Sequence, residues 1–171
     1  MFRAAQSARY ALMKEADPQA LRADLATYFG PRAASYLAAY EKVRKQVVEK
    51  RRWVQLWSWP AFLLGFVWMF YRKIYIWGAL LFLLPIVAAV VFGTSGMAGL
   101  AGVLGVLGKR MYVEAGLSRI SKANALGLTG QERTDYLSRA GGVSWIGGGL
   151  ALFILIGMIA ISVAASLKRP H

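Results

Sequence analysis

The chain holds 171 residues, of which 57% are hydrophobic and 17% charged, with a mean hydropathy of +0.44. Soluble domains carry about 25% charged residues, so a single water-soluble domain is a poor description, and 21 Lys and Arg against 8 Asp and Glu give a formal net charge of +13. The lack of cysteine excludes disulfides, thiol catalysis and cysteine-ligated metals, and a single histidine, His171, excludes a histidine triad or a multi-histidine metal site.

Residues 1–52 hold eleven basic residues and no long apolar run. Arg3, Arg9 and Lys14 precede the first acid, Glu15, which reads as a basic amphipathic helix, with a mitochondrial-type presequence as the alternative. Asp17-Pro18 is a helix start: Asp accepts from first-turn amides, and Pro fits where an N–H would have no partner. Leu21, Leu25, Tyr28 and Phe29 follow at helical spacing, and Gly30-Pro31 ends that helix. Tyr36, Tyr40, Val43 and Val47 make a second apolar stripe. Two stripes joined by a Gly-Pro corner predict a helical hairpin, serving as a structural headpiece or a docking surface.

The second helix turns basic toward its end, with six basic residues and one acid, Glu49, between Lys42 and Arg52. A basic cluster directly before an apolar segment predicts contact with anionic lipid headgroups, about 1 kcal/mol per charge. The expected contacts are Lys42, Arg44, Lys45, Lys50, Arg51 and Arg52, joined by Arg72 and Lys73 beyond the first apolar segment. Nucleic-acid binding is not expected, because the cations flank apolar segments and no nucleic-acid module is visible.

That first apolar segment opens at Ser58-Trp59-Pro60, with Ser58 as the cap, and ends at Tyr71. Its helix, about 20 Å long at 1.5 Å per residue, is short for a hydrocarbon core of about 30 Å. Trp53, Trp57, Trp59, Trp68, Tyr71, Tyr75 and Trp77 crowd the same stretch. Trp and Tyr favour the headgroup level, so residues 53–73 are expected to form an interfacial or re-entrant half-helix. Ile74 to Phe92 is long enough to span, with Pro85 inside it. A turn at 93–96 leads to a third segment, Met97 to Gly108, where Gly96, Gly99, Gly102, Gly105 and Gly108 recur every third residue. Small residues permit close helix approach in lipid, so these glycines are expected to serve helix packing, with a glycine-lined pore as the alternative. Residues 113–142 read as a polar helical connector, with Thr129 and Glu132 forming a capping box and Gly141-Gly142 closing the helix. Ser144 then opens a last apolar helix, Trp145 to Leu167.

Basic residues stay on the cytoplasmic side of a membrane. If the first segment does not cross, all the cations up to Arg139 share that side, and only Lys168-Arg169 lie opposite. If all four cross, eight of those cations move outside. The expected fold is therefore an all-α integral membrane protein: a cytoplasmic N-terminal helical hairpin (1–52), one re-entrant or interfacial half-helix (53–73), two transmembrane helices (74–112), a cytoplasmic connector (113–142) and a third transmembrane helix with a basic tail (143–171).

Trp57-Ser58-Trp59-Pro60-Ala61-Phe62, then Trp68 and Tyr71-Arg72-Lys73-Ile74-Tyr75, resembles a signature of the HrgC-like bacterial membrane proteins. Phe29-Gly30-Pro31 with Ser35-Tyr36-Tyr40, and Gly141-Gly142-Val143-Ser144, are also similar to that family. The charged connection from Glu41 to Arg52 and the glycine period depart from it. The resemblance implies a bacterial inner-membrane location and supplies no activity, substrate or catalytic residue.

All eight acids, from Glu15 to Asp135, lie outside the apolar segments, and those segments contain no ionisable relay. Neither a phosphate loop nor a nucleophile elbow is present, so an enzyme is not expected and no cofactor, metal or small-molecule substrate is implied. The expected role is a non-enzymatic accessory or assembly subunit that packs against itself or a larger membrane complex and binds anionic lipid. The alternative is a small oligomeric channel.

Overall fold

The computed structural model describes residues 9–14, 16–49, 56–92 and 96–167, and the described residues are helical with no strand. In chain order the helices are α1 (residues 9–14), α2 (Pro18–Phe29), a 3-10 corner (Gly30–Arg32), α3 (Ala33–Val48), α4 (Trp59–Tyr71), α5 (Tyr75–Phe92), α6 (Gly96–Ala125), α7 (Gly130–Ala140) and α8 (Trp145–Leu167).

The hairpin forms as its punctuation dictates. The Asp17 carboxylate accepts from the amides of Gln19 (3.1 Å) and Ala20 (3.3 Å), with Pro18 in the first turn of α2. Gly30, at φ +70°, turns the chain into α3. Leu21, Leu25, Tyr28 and Phe29 on one side and Tyr36, Tyr40 and Val43 on the other are buried.

α6 changes the expected architecture. The third apolar segment does not end at Gly108; it continues unbroken to Ala125 as a 30-residue helix, about 45 Å long. The boundary drawn at 112/113 thus falls inside a helix, and the connector is half α6 and half α7. Lys109-Arg110 are good helix formers, and beyond them Tyr112, Val113, Leu117, Ile120 and Ala123 return to one face at helical spacing and are fully buried. That face packs against α2, α3 and α7, so one rod belongs to both the headpiece and the apolar region.

α7 differs at its start. Thr129 occupies the cap position, but its hydroxyl makes no capping bond, and Glu132 is exposed. The start of α7 is held instead by Arg133, which donates to the Asp24 carboxylate of α2 from Nε (3.0 Å) and Nη2 (2.6 Å) and to Asn124 Oδ1 of α6 from Nη1 (2.7 Å). Such a planar fork on a half-buried carboxylate is the strong form of ion pair.

α4 begins as expected, with Ser58 Oγ accepting from the Ala61 amide at 3.4 Å. It is broken in its middle: Gly65, at φ +46° and ψ −115°, divides it into two short arms. Both arms meet one turn of α6, where Gly108 lies against Ala61 of the first arm and Trp68 of the second, and Gly65 sits beside Leu104. Ser58 also donates its amide to the Gly105 carbonyl at 2.7 Å.

Gly105 and Gly108 therefore pack helices closely, but against α4 of the same chain. An added Cβ would stand 2.5 Å from Ala61 Cβ at Gly108 and 2.8 Å from the Trp57 ring at Gly105, while Gly102 has nothing within 4 Å. The surroundings of Gly96 and Gly99 lie outside the described residues. Gly108→Leu is expected to destabilise the fold by about 3 kcal/mol, the upper end for overpacking. Gly102→Leu should be neutral or stabilising by up to about 1 kcal/mol, through helix propensity alone. Thermal unfolding in detergent micelles measures both, and equal losses would contradict the packing assigned to Gly108.

Candidate functional site

The most unusual side chain is Arg72, at the end of α4, with only 3% of its surface exposed. Its guanidinium carbon lies 4.7 Å from the Tyr36 ring centroid, 5.1 Å from Tyr112 and 5.7 Å from Tyr71. Tyr36 stands edge-on to Tyr112 at 4.8 Å, and Phe29 and Tyr28 close the far side at 5.3 and 5.5 Å from Tyr112. Arg72 Nε has no hydrogen-bond partner, and no carboxylate pairs with the side chain among the described residues. Tyr36 and Tyr112 therefore supply the compensation, through their ring faces and through side-chain hydrogen bonding between Arg72 and their hydroxyls; a cation over an aromatic face is worth about 0.5–1 kcal/mol when exposed and about 2 when desolvated.

The burial of Arg72 corrects its expected place among the lipid-headgroup contacts. The structure instead plugs it into the core between α3, α4 and α6. Its neighbours take equally specific places. Tyr71 receives the start of α8: its carbonyl accepts from the Ser144 amide at 2.7 Å, and its ring packs edge-on against Trp145 at 5.4 Å. Lys73, held at φ +58°, donates from Nζ to the Arg139 carbonyl at 3.0 Å, at the C-terminal end of α7. A cation is favourable there, where unpaired carbonyls gather. Three consecutive residues thus join α4 to α8, to the headpiece core and to α7.

The glycine pair 141–142 completes the joint. Gly141 is so close to the Tyr28 carbonyl of α2 that any Cβ would overlap it. Gly142, at φ +69°, donates its amide to that carbonyl at 2.7 Å, while Tyr112 Oη donates to the Gly142 carbonyl at 3.2 Å.

The other expected site residues scatter. Lys42 and Lys45 are exposed on α3, whereas Arg44 donates from Nε to the Met13 carbonyl at 3.3 Å. Lys50, Arg51, Arg52 and Trp53 lie outside the described residues. Trp59 is 62% exposed and Tyr75 and Trp77 are also open, but Trp68 is buried against Tyr112 and Gly108. Trp68 is thus core rather than interfacial. Trp57 is half-buried, stacked near Trp59 and Phe62, with its indole N–H shielded and unpartnered. Sequence reasoning does not assign Tyr28, Phe29, Tyr36 or Tyr112 to a site; the first three stand on the apolar stripes of the hairpin, and Tyr112 carries no such signal.

Burial pushes Tyr28 up to about 12 against the opposing pull of Arg119 and Arg72, and raises Tyr36 against the pull of Arg72. Among the described residues no group of His, Cys, Asp or Glu could hold a metal ion. The arrangement offers rigid joining of helices and a buried cation.

One helical stretch, within residues 130–161, is long and apolar enough to cross a membrane; its most apolar 18 residues have a mean hydropathy of 2.2 and are 11% buried in the protein. α8 carries it, while Trp59–Tyr71 and Tyr75–Leu84 are apolar but shorter. Among its described residues the chain is thus all-helical, with one helix fit to span a bilayer. No protein-family description, curated protein or solved structure matches it.

Removing a ring face while leaving the Arg72 cation should cost more than removing both, because a buried unpaired charge is heavily penalised. Tyr112→Leu is expected to destabilise by about 1–2 kcal/mol more in the native background than alongside Arg72→Met. Additive losses in chemical denaturation would show that the ring contact does not hold Arg72. Tyr28 ionises more readily unfolded than folded, so its contribution to stability is complete below pH about 10 and is lost as pH rises toward about 12. Spectroscopic titration should then show ionisation of the buried tyrosines coinciding with unfolding, and release of Tyr28 well before unfolding would contradict its burial.

Proposed function

We propose that this chain is a non-enzymatic, multi-pass membrane protein that fixes a helical headpiece to the cytoplasmic face of a bacterial inner membrane as an accessory or assembly subunit. The observation that carries the reading is the distribution of exposed apolar surface. α8 is packed over its first turns, where Gly147 and Gly148 meet Phe70 and Tyr71 and Ala151 is buried; beyond them most of its described residues are exposed, with Phe153 75% and Ile161 72% open. Ile76, Leu80, Leu83 and Val87 of α5 and Leu63 of α4 are exposed as well. So much contiguous apolar surface requires lipid or an apolar partner.

In this reading α5, the apolar half of α6 and α8 cross, and the broken α4 enters and returns on one side. Supporting the return is the meeting of both α4 arms at Gly108, with the Gly65 break beside Leu104, one turn deeper in the apolar half of α6. Polar residues flank the other end of that contact, where the headpiece begins. The resemblance to HrgC-like proteins is part of the same proposal, since its Trp-Pro-Ala-Phe and Tyr-Arg-Lys stretches build the α4 hairpin and its joint. The geometry favours an anchor over a channel lined by the glycine helix, because Gly105 and Gly108 are filled by Trp57 and Ala61.

Single-cysteine labelling tests the topology on a cysteine-free background. Gln19→Cys and Ser138→Cys should react with an impermeant maleimide only from the cytoplasmic side, and Ser166→Cys only from the opposite side. Labelling of Leu64→Cys from the far side would remove the re-entrant assignment, and labelling of Gln19→Cys and Ser166→Cys from the same side would remove the spanning one.

A further inference from the structure

A second feature lies where the headpiece meets the apolar region. Between α3, the segment leading into α4, and α6 is a cavity of about 240 Å³, lined by Ser35, Lys42, Leu56, Trp57, Lys109 and the alanines of α3. Lys42 and Lys109 come from different helices, and neither forms an ion pair or a hydrogen bond among the described residues. Several other cations of the described headpiece are occupied: Arg9 and Arg110 with Glu114, Arg22 with Glu41, Arg133 with Asp24, Arg44 with a carbonyl. The Trp57 indole N–H is shielded and lacks an acceptor, an expensive condition for a donor. Two lysines lining one cavity bring like charges to the same space, a repulsion that an anion seated there would relieve.

The geometry points to a binding site for the phosphomonoester headgroup of an anionic lipid, seated between Lys42 and Lys109 with Ser35 and the Trp57 indole as further donors. A phosphomonoester presents three free oxygens and nearly two negative charges at neutral pH, matching two cations and two neutral donors; a phosphodiester presents two oxygens and one charge. The lipid source follows from position. Lys109 is the first cation after the apolar half of α6, and Trp57 adjoins Trp59 and Phe62, with Trp59 and Leu63 exposed on α4 as an apolar path for acyl chains. Inorganic phosphate shares the recognition chemistry, so the test must separate the two. The inference rests on the proposed membrane location.

The experiment uses the full chain in nonionic detergent, titrated with short-chain phosphatidate, short-chain phosphatidylglycerol or inorganic phosphate, with bound molecules counted by native mass spectrometry. The native protein should bind phosphatidate about tenfold more tightly than phosphatidylglycerol, on the scale of one or two favourable charges. Lys42→Gln with Lys109→Gln should abolish that preference, and Trp57→Phe, which keeps a ring and removes the N–H, should weaken it. Lys14→Gln with Lys122→Gln removes equal charge from exposed positions elsewhere and should leave the preference intact. A preference that survives the Lys42 and Lys109 changes, or is lost equally in the control pair, overturns the site. So does a native protein with no preference. If inorganic phosphate binds as tightly as phosphatidate, the lipid assignment is overturned in favour of a soluble anion. The membrane reading is judged separately by cysteine labelling, so it can fail or stand whatever these titrations give.

Discussion

A guanidinium that leaves water must be compensated, and among the described residues no carboxylate meets Arg72; its surroundings are aromatic. The cation sits over Tyr36 of α3 and Tyr112 of α6 while its backbone ends α4. Three helices distant in sequence are therefore tied through one side chain. None of the three can shift far without exposing the charge to an apolar wall, and desolvating an unpaired ion costs several kcal/mol. The contact is directional as well as strong: the positive group must lie over a ring face, which sets how the hairpin rotates on α6. The Tyr28–Gly142 and Tyr112–Gly142 hydrogen bonds then bring the start of α8 to the same point.

This joint explains why α6 is one continuous rod. Its first half offers glycines to the broken α4, and its second half offers Tyr112, Val113, Leu117 and Ile120 to the headpiece. A loop between the halves would let the headpiece swing; a helix transmits its position to the apolar region with little play. The price in stability is low on the polar side, because Arg110 is met by Glu114 at 3.0 Å and Gln46 at 3.1 Å as the rod leaves the apolar contact. Half-exposed pairs of this kind contribute little energy but keep the polar flank of the rod satisfied.

Local punctuation was legible in the chain. Asp17-Pro18, Gly30-Pro31, Ser58-Trp59-Pro60 and Ser144 each start or turn an element where their chemistry says they should, because a cap needs only the next few residues. The ends of α4 and α8 were likewise readable from composition. What escaped was whatever depends on a partner far along the chain. Lys109-Arg110 looked like the limit of a segment because charge was read as a boundary, although Tyr112, Leu117 and Ile120 already carried the helical period onward. Gly65 is one glycine among apolar residues, and nothing local distinguishes a break from a close contact. The burial of Arg72 is hidden for the same reason, since it depends on Tyr36 and Tyr112, 36 and 40 residues away in sequence.

The aromatic density between positions 53 and 77 accordingly has two physical roles that composition cannot separate. Trp59, Tyr75 and Trp77 present rings outward, as a bilayer boundary would favour. Trp68 and Tyr71 turn inward, one packing on Tyr112 and Gly108, the other receiving Trp145 and Arg72. The division follows the helix: the inward residues lie on the second arm of α4, which α6 and α8 grip from two sides. The proposed anchoring role needs both properties in one short segment, a rim that meets the bilayer surface and a root that cannot rotate. The break at Gly65 allows this, because each arm can present its own face, whereas a straight 13-residue helix would commit its tryptophans to a single stripe.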